Sequence, residues 1–321
     1  MRTIALEEHI GTPKIAAAAR ATGKMLPRKT PDRVIEKLRD VGAGRLADMD
    51  AAGIDLQVLS ATGVGLDKLD RKTGTSLARE SNDALAEIVR AHPDRFAAFA
   101  LLAMQDPEEA AAELERCVVK LGFKGALISG TINDRFLDDP IFEPVLAQAQ
   151  TLGVPLYLHP APPPESVYKA YFSGLPEQIA GSLATSAWGW HVETGLHSLR
   201  LVVAGVFDRF PELQVIIGHM GENLPFSLAR AEERLAPFTP HLQRRIRDYF
   251  LANFHITTSA YFTLPPLLCA LMVFGVDRIL FSVDYPFSQN TPGRNLLETA
   301  PLSPADLEKI AHLNAERLLK L

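Results

Sequence analysis

Residues 3–9, TIALEEH, form a short apolar run that ends in charged side chains. The run predicts a buried β-strand over Thr3–Leu6, with Glu7 and His9 at the point where this strand ends. Side chains alternate along an extended chain, so Glu7 and His9 project to one side and Glu8 to the other. A carboxylate and an imidazole that converge at a strand end are suitable first ligands for a divalent metal ion.

The same order of short apolar run, turn and amphipathic helix recurs along the chain. The eight predicted strands cover Thr3–Leu6, Leu56–Ser60, Phe96–Leu102, Gly125–Ser129, Val154–Leu158, Gln214–Gly218, Phe254–Thr258 and Ile279–Val283. Helical patterns lie between most of them, at Thr75–Ala91, Pro107–Leu121, Ile141–Leu152, Val192–Arg209, Asn223–Leu235 and, after Ser303 as N-cap, Pro304–Leu319. Several strands lack polar alternation, which is typical of parallel strands covered on both faces. The pattern therefore predicts an α/β fold, a (β/α)8 TIM barrel.

Two connections are much longer than the others, at about 11–44 and 160–191. Long connections in compact domains are commonly lids or binding loops. Both follow strands that end in candidate ligands, so we expect both to lie over one opening. A doubly wound sheet is the alternative fold, but no glycine-rich phosphate loop follows any strand. No repeat or linker divides the chain, so we expect a single domain over residues 1–321.

Composition limits the classes of partner. The chain has 321 residues, an apolar content of 47% and a formal net charge of −5. It lacks a long basic run, which argues against nucleic-acid binding, and its apolar runs are too short to cross a membrane. Acidic residues at positions 7 and 8 precede any apolar segment of signal-peptide type. We therefore expect a cytoplasmic protein.

Three later strand ends carry further candidate ligands. His159 follows the fifth predicted strand, His219 the sixth and Asp284 the eighth. A TIM barrel places the C-terminal ends of its strands around one opening, so these side chains become neighbours of Glu7 and His9. A lone histidine is more often structural than functional. A set of ionisable side chains that all lie at strand ends, however, indicates a metal site.

Four motifs match a known family. They are ALEEH (residues 5–9), LHP (158–160), GHMGE (218–222) and SVDYP (282–286). Together they resemble the decarboxylase branch of the amidohydrolase superfamily, which includes the γ-resorcylate, 2,3-dihydroxybenzoate, 5-carboxyvanillate and aminocarboxymuconate-semialdehyde decarboxylases. The resemblance spans nearly the whole chain, and it implies a distorted (β/α)8 barrel with one divalent metal ion.

The resemblance implies that Glu7, His9, His159 and Asp284 are the metal ligands. Amidohydrolases that hydrolyse their substrates usually begin with His-x-His, whereas this chain has glutamate first, as the hydroxybenzoate decarboxylases do. Binuclear hydrolases also have a bridging lysine at the end of strand four, but Lys124 precedes that strand. We therefore expect one ion, and a shell of two carboxylates and two imidazoles suits Zn2+ or Mn2+.

Three residues are candidate catalytic groups. Asp284 is placed to take a proton from the substrate and return it to carbon. His219, oriented by Glu222, is placed to tune a metal-bound water or to hydrogen-bond the substrate. The alternative for Glu222 is a residue at a helix N-terminus, where its charge favours the helix dipole. His191 starts a predicted helix beside two tryptophans, and the sequence leaves its role open.

One cation and three aromatic side chains are candidates for substrate binding. Arg230 falls where related enzymes hold a substrate carboxylate or a residue that orders one. Phe172, Trp188 and Phe287 are suited to stacking on a flat ring, although ordinary packing explains each of them equally well.

The charges around the ion indicate the kind of reaction. Two carboxylates and two neutral histidines leave a 2+ ion roughly neutral, with open positions for an anionic chelating substrate such as an ortho-hydroxybenzoate. We therefore expect a metal-dependent, non-oxidative decarboxylase that releases CO2 from a small aromatic carboxylate. Metal-dependent hydrolysis of a lactone or amide is the alternative. Family members are commonly dimers or tetramers, which implies a homodimer or homotetramer here.

Overall fold

The computed structural model describes residues 1–23, 30–63 and 65–321, and eight parallel strands pair within them in sequence order. The strands are β1 (Ile4–Ile10), β2 (Leu56–Ala61), β3 (Phe96–Leu101), β4 (Ala126–Ser129), β5 (Leu156–His159), β6 (Val215–Ile217), β7 (Phe254–Thr257) and β8 (Ile279–Leu280). The backbone N–H of His9 donates to the carbonyl of Tyr285 at 2.7 Å, which joins β1 to the segment after β8. The sheet is thus a nearly closed barrel, and the predicted (β/α)8 fold is confirmed.

Helices connect the strands on the outside of the barrel. They cover Pro13–Ala21, Asp32–Arg39, Ala43–Ala52, Arg71–Ala91, Pro107–Leu121, Glu143–Leu152, Glu165–Tyr171, Glu177–Ala184, Gly189–Val203, Val206–Arg209, Leu224–Leu235, Ile246–Asn253, Leu264–Phe274, Asn290–Thr299, Pro304–Glu308 and Asn314–Leu319. The Ser303 hydroxyl accepts a hydrogen bond from the Asp306 N–H at 3.2 Å, so the predicted N-cap is present. No helix in the described ranges is both long enough and apolar enough to cross a membrane.

An apolar cluster fills the inside of the barrel at the end where the strands begin. It contains Ile4, Leu6, Leu56, Val58, Ala97, Phe99, Leu127, Tyr157, Ile216, Leu280, Ala315 and Leu319. All of these side chains are buried. Only inward-facing residues of different strands can meet around one axis, so this interior cluster is the packed base of the barrel. A second and larger core lies between the strands and the surrounding helices.

The first strand differs from its predicted bounds. It continues to Ile10, so Glu7 lies within the strand instead of after it. The pairing of β1 with β2 shifts between Ala5 and Glu8, which marks a β-bulge. With the bulge, Leu6 joins the interior cluster while Glu7 also faces the inside of the barrel. Bulges are common next to active sites, because they redirect a side chain without ending the strand.

The two long insertions contain helices of their own. The first carries Pro13–Ala21 and Asp32–Arg39, and the second carries Glu165–Tyr171 and Glu177–Ala184. Positions 24–29 of the first insertion, and position 64, lie outside the described residues. Both insertions contribute to the wall of one cavity over the C-terminal ends of the strands, as expected from the sequence.

Candidate active site

Four side chains converge at the C-terminal end of the barrel. Glu7, His9, His159 and Asp284 each place one ligand atom within 4.8 Å of the others. His159 Nε2 lies 3.1 Å from Glu7 Oε1, and His9 Nε2 lies 3.2 Å from Asp284 Oδ1. The structure therefore brings together the four residues that the sequence analysis proposes as metal ligands. We call them the four-ligand cluster.

Two buried atoms of the four-ligand cluster have no hydrogen-bond partner among the described residues. They are Glu7 Oε1 and His9 Nε2, whose close contacts with His159 and Asp284 lack the geometry of a hydrogen bond. Leaving a buried polar group unpaired costs about 1–3 kcal/mol, and more for a charged one. Two carboxylates and two imidazoles are the donors expected of a divalent transition-metal site. A single divalent cation between these atoms satisfies both of them, so the residues present fit such an ion.

Each histidine of the four-ligand cluster has a polar partner at Nδ1, the ring nitrogen that does not face the cluster. His9 Nδ1 lies 3.1 Å from Ser60 Oγ, and His159 Nδ1 lies 2.6 Å from the carbonyl oxygen of Pro160. A carbonyl only accepts hydrogen bonds, so a neutral His159 carries its proton on Nδ1 and presents an unprotonated Nε2 to the cluster. Partners of this kind fix the tautomer and the ring orientation of histidine ligands.

Glu7 is held by neighbours inside the barrel. Its Oε2 accepts hydrogen bonds from the hydroxyls of Tyr157 and Ser259. A Cβ at Gly218 would lie 2.7 Å from this oxygen, so only glycine fits beside it. Burial raises the pKa of Glu7, but the charge of His219 and the neighbouring histidines outweigh burial and hold the pKa well below its usual range. In its ionised form Glu7 can bind a cation.

The segment after β6 has an unusual backbone. Five consecutive residues have φ between 47° and 85°, namely His219, Met220, Gly221, Glu222 and Asn223. Left-handed conformations are unfavourable for residues with a Cβ, and successive ones are rare. This left-handed turn places His219 Nδ1 2.7 Å from Glu222 Oε1. Strained backbone of this kind is typical of functional sites, where the surrounding structure holds it.

Glu222 links two histidines. While Oε1 faces His219, Oε2 accepts a hydrogen bond from His191 Nδ1 at 2.6 Å. His191 Nε2 lies 3.0 Å from the carbonyl oxygen of Ser186. Glu222 therefore acts as a hydrogen-bond partner and lies before the helix Leu224–Leu235. No local pattern indicates that His191 reaches this carboxylate, because the contact joins two distant segments with no shared motif.

His219 faces the four-ligand cluster. Its Nε2 lies 3.9 Å from Glu7 Oε1. Burial lowers the pKa of His219, but the negative charges of Glu222 and Glu7 raise it to about 10. A cation held by Glu7 opposes this rise, because it offsets one of the two negative charges.

A cavity of about 1100 Å3 opens over the C-terminal ends of the strands, and Phe287, one of its lining residues, connects it to the four-ligand cluster. Thr12 and Arg20 of the first insertion and Pro162 of the second line it, together with Phe287. The Phe287 ring meets the His9 imidazole edge-on, with 5.6 Å between the ring centroids. Phe287 therefore lies where the cavity meets the cluster, a suitable place to contact an aromatic ring.

The other two aromatic candidates lie away from this cavity. Phe172 is buried in a small apolar cluster within the second insertion. Trp188 precedes the helix Gly189–Val203 and is 55% exposed. Neither borders the cavity in the described parts of this chain. Sequence alone could not separate them from Phe287, since stacking on a substrate and packing within a lid require the same residue types.

Arg230 also lies away from the cavity of its own chain. Its side chain is 61% exposed and pairs with Glu233 at 2.9 Å. Leu228 of the same helix is buried in the core. A residue two positions later lies on nearly the opposite side of a helix, so Arg230 points outward.

Known proteins are similar to this chain over nearly its whole length. A family model described as amidohydrolase matches residues 31–321. A γ-resorcylate decarboxylase of Rhizobium radiobacter is 38% identical over 99% of this chain and 98% of its own.

Two solved structures are similar throughout. A 2,6-dihydroxybenzoate decarboxylase complexed with 2,6-dihydroxybenzoate superposes with a TM-score of 0.90 and 38% identity, covering 100% of both chains. The dihydroxybenzoic acid decarboxylase of Polaromonas sp. JS666, with bound manganese and the inhibitor 2-nitroresorcinol, has a TM-score of 0.90 and 39% identity, covering 100% of this chain and 97% of that one. Since both the family model and these full-length similarities extend over the barrel and its strand ends, the chain belongs to the amidohydrolase family.

Proposed function

We propose that this protein is a metal-dependent decarboxylase that releases CO2 from an aromatic carboxylate with a hydroxyl group ortho to the carboxylate. The four-ligand cluster at the rim of the barrel carries the proposal, because it combines a cation site with an adjoining cavity. Similar proteins are named decarboxylases of γ-resorcylate and of 2,6-dihydroxybenzoate. γ-Resorcylate is another name for 2,6-dihydroxybenzoate, so both names give the same compound, and it fits the chelating substrate class that the charges of the site favour.

The proposed cofactor is one divalent cation held by Glu7, His9, His159 and Asp284. Manganese is bound in the similar Polaromonas structure, and the same ligand types suit Zn2+. When bound, the ion supplies positive charge that attracts the carboxylate and phenolic oxygens of the substrate and fixes their geometry. Two anionic ligands balance its charge, which leaves the site able to accept an anionic substrate.

Asp284 is the proposed proton carrier. A carboxylate has two oxygens, so one can remain in the cluster while the other exchanges a proton with the substrate. Asp284 takes the phenolic proton as the substrate binds and donates it to the ring carbon that bears the carboxylate. That carbon becomes tetrahedral. The bond to the carboxylate then breaks, CO2 leaves, and the electron pair of the broken bond restores the aromatic ring as a phenolate, which takes up one proton from water to give the phenol.

His219 is proposed to orient the substrate. Glu222 holds its Nδ1, so its Nε2 remains directed towards the cluster and can hydrogen-bond a substrate oxygen. Phe287 contributes an apolar surface at the edge of the same space. With these neighbours the ring carbon is held close to Asp284, which favours proton transfer.

The reaction can be tested with purified protein that is stripped of metal and reloaded with Mn2+ or Zn2+. We expect CO2 and the corresponding phenol in equal amounts from 2,6-dihydroxybenzoate or another ortho-hydroxybenzoate, and only with metal present. 4-Hydroxybenzoate is the matched control, because it lacks the ortho hydroxyl and should not react. Addition of water to a lactone or amide without CO2 release would contradict the proposal, as would full turnover after metal removal.

We also propose that the chain forms a homo-oligomer. The helices Leu224–Leu235 and Leu264–Phe274 contact each other and expose Phe226, Leu268 and Met272. A surface patch of large apolar side chains is often a subunit interface. Light scattering after size-exclusion chromatography should report a dimer or tetramer, and Phe226→Glu should weaken it. A monomer in both proteins would contradict this part of the proposal.

A further inference from the structure

Glu8 is a buried carboxylate beside the site that the proposed reaction does not use. It lies on the opposite side of β1 from the metal ligands and is fully buried. Its Oε1 accepts a hydrogen bond from the backbone N–H of Val283 at 2.9 Å. Its Oε2 accepts one from the backbone N–H of Tyr285 at 3.2 Å. The residue between these two N–H groups is Asp284. The carboxylate of Glu8 therefore accepts hydrogen bonds from the backbone on both sides of a proposed metal ligand.

The backbone at Asp284 needs such support. Asp284 has a φ of 72°, in the left-handed region, which costs about 1–2 kcal/mol for a residue with a Cβ. The strand β8 ends at Leu280, so ladder pairing does not extend to this segment. The hydrogen bonds of the flanking peptide groups therefore decide where the Asp284 side chain points.

Glu8 is itself held by neighbours from β2 and from the helix Ala43–Ala52. Gln57 Nε2 donates to Glu8 Oε2 at 3.2 Å. Arg45 is fully buried, and its guanidinium donates to Gln57 Oε1 at 3.2 Å and to the carbonyl of His9 at 2.5 Å. The same guanidinium lies 4.7 Å from the centre of the Tyr285 ring. These contacts link the first strand to the segment after the last one, behind the four-ligand cluster.

We infer that Glu8 is a positioning residue that fixes the direction of the Asp284 carboxylate by accepting hydrogen bonds from both flanking N–H groups. A carboxylate can accept at both of its oxygens, whereas the NH2 group of an amide only donates. An apolar side chain of similar size would leave both N–H groups unpaired in the interior. The inference rests on the proposed metal site, but it does not depend on which reaction the site performs.

Glu8→Gln is the direct test. Glutamine has nearly the same shape, but its NH2 group must face one of the two N–H donors. We expect the variant to bind Mn2+ roughly 10–100-fold more weakly than the unchanged protein, as is typical when the support of a ligand is lost. Competition with a chelator of known affinity measures this without any substrate. At saturating Mn2+ we expect kcat to fall while KM changes little, because Asp284 is misdirected but the cavity is intact.

Glu113→Gln is the matched control. Glu113 is also a buried carboxylate, and it accepts hydrogen bonds from Asn82 and Arg116 on the outer helices. We expect Glu113→Gln to lower the Tm without weakening Mn2+ binding. Unchanged Mn2+ affinity in Glu8→Gln overturns the inference. An equal loss of affinity in both variants overturns it too, since the effect would then be a general loss of stability.

A second variant covers the case in which Glu8→Gln does not fold. Gln57→Met removes the side-chain donor to Glu8 Oε2 and leaves the two backbone contacts in place. We expect a smaller but measurable weakening of Mn2+ binding, and unchanged affinity would overturn the inference. The outcome is separate from the proposed reaction: a protein that binds Mn2+ in this manner but releases no CO2 contradicts decarboxylation and leaves the role of Glu8 intact.

Discussion

The base of the barrel and its rim are built in opposite ways. At the base, the interior cluster consists of buried apolar side chains contributed by most of the strands. At the rim, buried polar atoms of Glu7 and His9 make no hydrogen bond to the described residues, and the backbone is left-handed at His219, Ala260 and Asp284. The barrel therefore gains its stability at one end and holds its strained, reactive groups at the other, a division known for this fold class.

The largest expected effect is the loss of the proposed proton carrier at the rim. Asp284→Asn keeps the size of the side chain but removes the carboxylate that is proposed to move the proton, so we expect kcat to fall by about 100-fold to 10,000-fold or more. Turnover should be measured at saturating Mn2+, with metal content and circular dichroism as controls. A variant that retains metal and activity would show that Asp284 does not carry the proton.

The matching change at the base should affect stability alone. Ile4 is fully buried in the interior cluster, so Ile4→Ala should lower the free energy of unfolding by about 2–5 kcal/mol. Urea unfolding measures this loss, and the Mn2+ affinity of the folded variant should be unchanged. If Mn2+ binding weakens as well, the two ends of the barrel are coupled and the comparison above fails.

The base should also respond to acid. Burial lowers the pKa of His255 to about 3, and the charge of Arg278 adds to this effect. Between pH 6.5, the ordinary pKa of histidine, and about pH 3, the unfolded chain therefore binds more protons than the folded protein. The contribution of neutral His255 to the free energy of unfolding is complete at neutral pH and is lost as the pH falls below about 6.5.

His255→Gln should therefore reduce the slope of unfolding free energy against pH by up to about 1.4 kcal/mol per unit between these limits. The Gln side chain can still accept a hydrogen bond from Arg278, which now lies 3.0 Å from His255 Nε2. Urea titrations at several pH values give the slope. A variant with the slope of the unchanged protein would show that His255 does not contribute.

The smallest expected effect is the release of strain at the rim. Ala260 is exposed with a φ of 54°. Glycine adopts this conformation without a steric penalty, but it loses more conformational entropy on folding than alanine does. After this entropy cost is subtracted, Ala260→Gly should raise the free energy of unfolding by about 0.5–1 kcal/mol. A Tm that falls instead would show that the backbone at this position is not strained.

The strand order and the gathering of polar residues at one rim could be predicted from short-range patterns in the sequence, whereas the choice of four ligands, without His219, came from the family resemblance. Apolar runs mark strands, and polar residues at the ends of parallel strands must share one rim. The helix Pro107–Leu121 has the predicted bounds, with proline at its start and glycine directly after it. Glu7, His159 and Asp284 are brought together for the same general reason, although they are far apart in the chain.

The remaining features depend on contacts that no local pattern encodes. The bulge in β1 and the left-handed turn after β6 arise where tertiary hydrogen bonds outweigh the ordinary backbone preferences. The contact between His191 and Glu222 joins segments with no common motif. The outward position of Arg230 depends on which side of its helix meets the core. Side-chain direction at such positions requires the packed structure.

Hydrogen bonds join the first strand to the segment that follows the last strand. The segment around Glu8 meets the segment around Val283, 275 positions later, and the proposed cation would bind residues from both. A metal ion at this place would act as a removable cross-link between the first strand and the segment after the last strand. Its loss would leave the barrel joined by its seven strand pairings and weakened where β1 meets this segment, so the apoprotein would open first at that seam.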